Sequence, residues 1–318
     1  MINRVKTATV AVPPGRPAAQ HVPVAVTSAG VTALRSALHS RMRAEVLDDG
    51  GRSALKRLLD EDAVVNAVVS ARVRGTRSLR PRVFGATMFG VTDGEHLRAA
   101  CYSGGNLIPV GGDARSWDVL VDAVAHRPRV CTSIVGRAEA VAAIWSALSP
   151  RWAPARSLRT EQPLLIVDGA VDVEGDDTVR AARPADLERY QAAAAAMFTE
   201  ELGVSPHVAP GSAAFRLRIR DLIGQSRAFA SFDFRGQVTF KADLGAVTPH
   251  TCQIQGVWVR PDLRGRGIGT AGLATVLRHA LTLAPSASLY VNHFNGSARR
   301  MYEKLGMRQH ATLSTVLL

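Results

Sequence analysis

Lysine is nearly missing from this chain: of its 39 basic residues four are lysine, at Lys6, Lys56, Lys241 and Lys304, which leaves 35 arginines. The arginines are scattered, and no aromatic-interleaved basic stretch, helix-turn-helix signature or Cys/His finger accompanies them, so the net charge of +12 is not expected to mean nucleic-acid binding. An anionic small ligand accounts for part of the excess. Cysteine is also scarce. Cys101, Cys131 and Cys252 show no CxxC pair and no even count, which excludes a disulfide-stapled scaffold and leaves buried thiols and no metal as the expectation. No apolar run approaches the roughly 18 residues needed to cross a bilayer, and the N-terminus carries proline and arginine where a secretory signal needs an apolar core. The expected location is cytoplasmic, without membrane contact.

At 318 residues the chain has room for two domains. Residues 1–30, with Pro13, Pro14, Gly15 and Pro17, lack any periodicity able to bury a face and read as a loose arm. From Val31 to Leu59 the positions Leu34, Leu38, Met42 and Val46, then Leu55, Leu58 and Leu59, recur at helical spacing around Asp48-Asp49-Gly50-Gly51 and predict two short helices. A third helix is expected at Ala63 to Val69. Strands then follow at Val83 to Val91, Leu97 to Tyr102 and Asn106 to Val110, a helix at Trp117 to Ala125, a strand at Val130 to Val135, a helix at Ala138 to Leu148 and a strand at Leu164 to Val167. That pattern predicts a mixed α/β domain over 31–171. Its Gly104-Gly105 and Gly111-Gly112 pairs lack phosphate-loop spacing and read as turns.

The polar stretch Asp172 to Asp177 marks the expected boundary, and 178–318 reads as a second α/β domain in the order βααβββαβαβ. Its third strand, the helix after it and the next strand form a right-handed βαβ unit with parallel strands. The chemistry concentrates in Gln255-Gly-Val-Trp-Val-Arg-Pro-Asp-Leu-Arg-Gly-Arg-Gly-Ile-Gly-Thr270, a strand, a turn and a glycine-rich entry to a helix. Amides at a helix start have no intrahelical partner and sit at the positive end of the dipole, while glycine lets an anion approach the main chain. Arg264 and Arg266 add charge beside them. The glycine-lysine-serine/threonine of a Walker loop is absent, and the spacing does not suit a dinucleotide fingerprint. Gly256, inside an otherwise apolar strand, predicts a bulge. Further on, Ala298, Met301, Tyr302 and Leu305 share one helix face, which aims Tyr302 at the sheet, and Gly306 ends that helix.

With these residues in view, VWVRPDLRGRGIGTAGL resembles the acetyl-coenzyme A pyrophosphate motif of the GNAT superfamily of N-acetyltransferases, and NGSARRMYEKLGM resembles its following helix. VRAARPADLERY resembles the usual opening of such domains. The likeness covers about 178–318. The preceding region resembles the poorly characterised domain of some two-domain bacterial members, and its element order is compatible with a degenerate half of the same fold.

The resemblance implies a mixed-sheet GNAT fold and acetyl-CoA as cosubstrate. It implies that the backbone of Arg264, Gly265, Arg266, Gly267, Ile268, Gly269 and Thr270 holds the pyrophosphate, that Val257 and Val259 pair with the pantetheine arm, and that Asn295 touches the cofactor from the far side. The implied reaction is direct attack of an amine of a small molecule, peptide or protein on the thioester through a tetrahedral intermediate. A backbone N–H near Val257 would stabilise the oxyanion, and Tyr302 would protonate the leaving thiolate. Gln255 stands where relatives often carry a glutamate and cannot act as a base. Glu200 and Glu201 are the candidates instead, with His250 a weaker one. Two other readings remain open at this point: an acyl-CoA-binding regulator without turnover, and an N-terminal region that recruits a protein substrate.

Overall fold

The computed structural model describes residues 42–94, 96–203, 205–206 and 212–318. The expected arm at 1–30 and the helical positions Leu34 and Leu38 lie outside these residues, as does most of the stretch between Leu202 and Ser212. In the first half the elements are β1 (Met42–Val46), α1 (Arg52–Asp60), α2 (Ala67–Gly75), α3 (Pro81–Phe84), β2 (Thr87–Asp93), β3 (His96–Ser103), β4 (Leu107–Gly111), α4 (Ala114–Ala125), β5 (Ser133–Arg137), α5 (Ala138–Leu148) and β6 (Ser157–Val167). The second half runs β7 (Arg180–Ala181), α6 (Leu187–Leu202), α7 (Ser212–Gly224), β8 (Ala228–Phe232), β9 (Val238–Val247), β10 (Cys252–Val259), α8 (Ile268–Leu283), β11 (Ala287–Tyr290), α9 (Gly296–Lys304) and β12 (Arg308–Leu317).

Several expectations need correction. Met42–Val46 is a strand, because Met42, Ala44 and Val46 also satisfy period two, and Met42 and Ala44 pack on the core under α4 and α5. The helix expected at Ala63 begins instead at Ala67. Asp62 accepts from the Val65 amide and pairs with Arg137 and His310, which holds 61–66 as a turn. Val83 does not open a strand: Pro81 starts the single helical turn α3, which Gly85 closes at φ 71. With β1 included, and the single turn α3 set aside, the first half repeats the βααβββαβαβ order of the second.

Both halves share one twelve-stranded sheet in the order β1-β2-β3-β4-β5-β12-β6-β11-β10-β9-β8-β7. The final strand of each half crosses to the other: β12 lies between β5 and β6, and β6 lies between β12 and β11. Helices cover both faces. In the second half Leu273, Val276, Leu277 and Ala280 of α8 pack on Phe240, Leu244, Ile254 and Leu289, while Tyr190, Ala193, Ile219 and Leu222 of α6 and α7 cover Ala228, Ala230 and Trp258. The three cysteines are buried and unbridged.

Candidate active site

Strands β10 and β11 are parallel, but their register holds only over Cys252↔Ala287 and Gln253↔Ser288. Beyond that point they diverge. On the other side β10 pairs with β9 through Gln255↔Asp243 and again at Trp258↔Lys241, with a register shift between. Gly256 occupies the shift at φ 60, so the expected bulge is present and Val257 falls outside the ladder. The splay opens a cavity of about 1260 Å³, lined along β10 by Ile254 to Val259, along β11 by Leu289 and Tyr290, and across the top by the start of α8 and the α9 face.

Helix α8 begins behind Gly267, at φ 82, with no side-chain cap on its first amides. Gly265 is also left-handed, at φ 75, and a Cβ at either position would meet nothing within 4 Å. An uncapped, unobstructed helix start therefore faces the cavity. The corresponding helix of the first half differs in each respect. Asp113 caps α4 through the Ser116 amide in a reciprocal capping box, and Trp117 Nε1 donates to the Gly111 carbonyl at 3.0 Å. A Cβ on Gly112 would lie 2.7 Å from Ser116 Oγ and 2.8 Å from Trp117 Nε1, so its donors are used and its mouth is filled.

Tyr302, on α9, is 6% exposed and lines the cavity, as its helical spacing predicts. Burial, and secondarily the charge of Glu201, pushes its hydroxyl up to about 12. Glu200, at the end of α6, receives both terminal nitrogens of Arg264, at 2.6 and 2.7 Å, and Trp258 Nε1 at 3.3 Å. The Arg264 hydrogen bonds hold that carboxyl below its ordinary range. The Arg264 guanidinium thus spans the cavity mouth, its Nε donating to the Val259 carbonyl at 3.0 Å. Glu201 behaves oppositely: the surrounding protein displaces enough water to push its carboxyl upward, although Arg159 and Lys241 pull the other way.

Of the residues singled out from the sequence, Glu200, Glu201, Val257, Val259, Arg264, Gly265, Gly267, Ile268, Gly269, Thr270, Asn295 and Tyr302 all line this cavity, whereas Arg266 does not. Asn295 uses its Oδ1 to cap α9 through the Ala298 amide at 3.2 Å. Gln255 is tied to its neighbours, accepting from Arg218 at 2.9 Å and donating to Gln253 at 3.2 Å. His250 is not part of the site; it sits in the β9–β10 turn, 3.5 Å from Asp60. The sequence reading missed Arg159 and Gln162, which reach the cavity on the exchanged strand β6. Arg159 donates to the Glu201 carbonyl at 3.0 Å and Gln162 to Asn292 Oδ1 at 2.8 Å. No local signal marks either one, because their placement depends on pairing with β12, where Gln162 faces Leu313 and Arg159 faces Thr315. Among the described residues no cluster of three or more His, Cys, Asp or Glu could hold a metal, and no helix is long and apolar enough to cross a membrane.

Residues 86–190 match the model of a domain of unknown function, DUF4081, and residues 212–307 match that of the acetyltransferase (GNAT) family. No curated protein matches the chain. Among solved structures, the chain is similar to a GNAT-family acetyltransferase from Colwellia psychrerythraea, at 13% identity and TM-score 0.53, covering 87% of this chain and 99% of that one. A GCN5-related N-acetyltransferase from Sphaerobacter thermophilus aligns at 14% identity and TM-score 0.54, over 87% and 96% of the two chains. A tandem GNAT protein from the clavulanic acid biosynthesis pathway aligns at 12% identity and TM-score 0.50, over 87% and 98%. These likenesses establish a shared fold across both halves. The match to the acetyltransferase (GNAT) family, over residues 212–307, falls on the splayed strands and the open helix start.

Proposed function

We propose that the chain transfers an acetyl group from acetyl-CoA to an amine. The observation that carries this reading is the uncapped start of α8, open to solvent at Gly265 and Gly267 and continuous with the cleft between β10 and β11. The amides of Ile268, Gly269 and Thr270 would receive the pyrophosphate, with the positive end of the helix dipole behind them. Gly269 fits a close approach of backbone to neighbours, since a Cβ there would lie 3.1 Å from Met301 Sδ and 3.2 Å from Val259 Cγ2. Val257 and Val259, on the splayed part of β10, would pair with the pantetheine arm. Acetyl-CoA supplies an activated acetyl thioester.

The chain's own groups divide the proton work. Tyr302, protonated up to about pH 12, would donate to the leaving sulfur. Tyr302→Phe should then lower kcat by about a hundredfold or more while leaving acetyl-CoA affinity near that of the native chain. Thiol release measured beside calorimetry checks this, and an unchanged kcat removes Tyr302 from the reaction.

Glu201, with its raised carboxyl, would take the amine's proton through water, while Glu200 is committed to Arg264. A base acts only when ionised, so the rate should rise with pH through the carboxyl's raised value, above the ordinary glutamate value of about 4.3. Glu201→Gln should remove that limb and lower kcat. A limb that survives in the variant assigns the base elsewhere.

Because the Glu200–Arg264 pair is roughly half exposed, its net worth is at most about 1 kcal/mol. Glu200→Gln should release Arg264 toward the pyrophosphate and tighten acetyl-CoA binding by no more than about fivefold. Weaker binding in calorimetry would contradict the placement of Arg264 at the phosphate. The regulatory alternative, binding without turnover, draws on Gln255, which is hydrogen-bonded on both sides and offers no base. A panel of amines that gives binding but no acceptor-dependent thiol release would favour it.

A further inference from the structure

Beneath the bulge lies a charged group that the chemistry above does not use. Lys241, on β9, has 0% of its surface exposed. Its Nζ donates to Asp243 Oδ2 at 3.0 Å and to the Gly256 carbonyl at 2.8 Å. The same nitrogen lies 5.2 Å from the centroid of the Tyr190 ring and 4.0 Å from Met197 Sδ. Its three N–H directions thus meet a carboxylate, a carbonyl and a soft, electron-rich wall. Asp243 also accepts from the hydroxyl of Tyr190, another side chain with 0% exposure.

Buried ion pairs seldom outperform apolar residues of the same volume as a source of stability. This one is aimed at a single peptide group. The Gly256 carbonyl and the Val257 N–H belong to one planar unit, so a cationic donor on the oxygen withdraws electron density from the nitrogen and strengthens the N–H as a donor. That N–H belongs to the residue outside the β9–β10 register, on the cavity wall. The pair also shapes the bulge: a Cβ on Gly256 would lie 2.6 Å from Asp243 Oδ2 and 2.7 Å from Lys241 Nζ.

We propose that Lys241, braced by Asp243 and Tyr190, is a positioning residue that fixes the bulge and polarises the Gly256–Val257 peptide toward the thioester carbonyl. The role rests on the acyl-transfer reading above.

The test replaces both charges at once, Lys241→Met with Asp243→Asn, so that no unpaired ion is left buried and an acceptor remains for Tyr190. Three quantities are read: the Val257 amide proton shift in the ligand-free protein by NMR, acetyl-CoA affinity by calorimetry, and kcat from thiol release. The expected result is an upfield move of the Val257 amide, an affinity close to native, and a kcat lower by roughly tenfold or more, since a weakened oxyanion donor acts on the transition state. An unmoved amide with native kcat overturns the proposal. Lys241→Gln with Asp243→Asn, which keeps a donor but no charge, carries the same test where the methionine-bearing variant does not fold. If the native chain fails to bind acetyl-CoA, the acyl-transfer reading falls, and the ligand-free amide shift still decides whether Lys241 polarises the peptide.

Discussion

Gly267→Glu should weaken acetyl-CoA binding by about a hundredfold or more, equivalent to about 2.8 kcal/mol. Two effects add. Gly267 sits at φ 82, where any other residue costs about 1–2 kcal/mol. The new carboxylate would also stand at the positive end of α8 and compete for the amides a pyrophosphate would use, as Asp113 already does at the start of α4. Because a Cβ there meets nothing within 4 Å, the fold should survive: thermal unfolding should register only the backbone cost, and the loss of affinity should appear in calorimetry. Gly267→Ala, bearing the backbone cost alone, should lose far less. Native affinity in the glutamate variant would remove the cofactor from this loop.

Gly256→Ala should be the most destabilising single change in the site. The added methyl has no room beside Asp243 and Lys241, and φ 60 is unfavourable for alanine. Overpacking of about 1–3 kcal/mol and a left-handed residue at about 1–2 kcal/mol together reach roughly 2–5 kcal/mol, a large share of a domain's marginal stability. Urea unfolding should register that loss, and any folded fraction should release thiol far more slowly than the native chain. A neutral variant would mean that the bulge tolerates a side chain, and with it the close packing of Lys241 under Gly256 would be disproved.

Most of the candidate site was legible because its signals are local. Glycines at a helix start, a glycine inside an apolar strand and a tyrosine on the inward face of a short helix each constrain a few neighbouring residues, and all three appear where the sequence places them. What stayed hidden depends on distant pairing or on what covers a face. Over five residues, Met42, Ala44 and Val46 cannot distinguish period two from a helical spacing, and β2 decides it. Leu164 to Val167 reads as a short strand because the preceding Ser157-Leu-Arg-Thr-Glu161 is polar, yet β12 pairs it back to Ser157. Lys241 and Asp243 alternate with Phe240 and Ala242 as a solvated face would, and it is α6, through Tyr190 and Met197, that buries them. With β1 a strand, the first half carries the same element order as the second.

The crossing of β6 and β12 has a consequence for how the newborn chain reaches its final form. When β6 leaves the ribosome, neither of its lateral neighbours, β11 and β12, has yet been synthesised, and the flank of β5 that β12 will occupy is equally bare. Bare strand flanks invite wrong partners, so the hazard of misassembly peaks midway through translation and ends only when β12 slides home between them. Arrest-peptide force measurements should therefore register the closing pull only after β12 has emerged; an earlier one would mean that the first half completes its own sheet and later opens it.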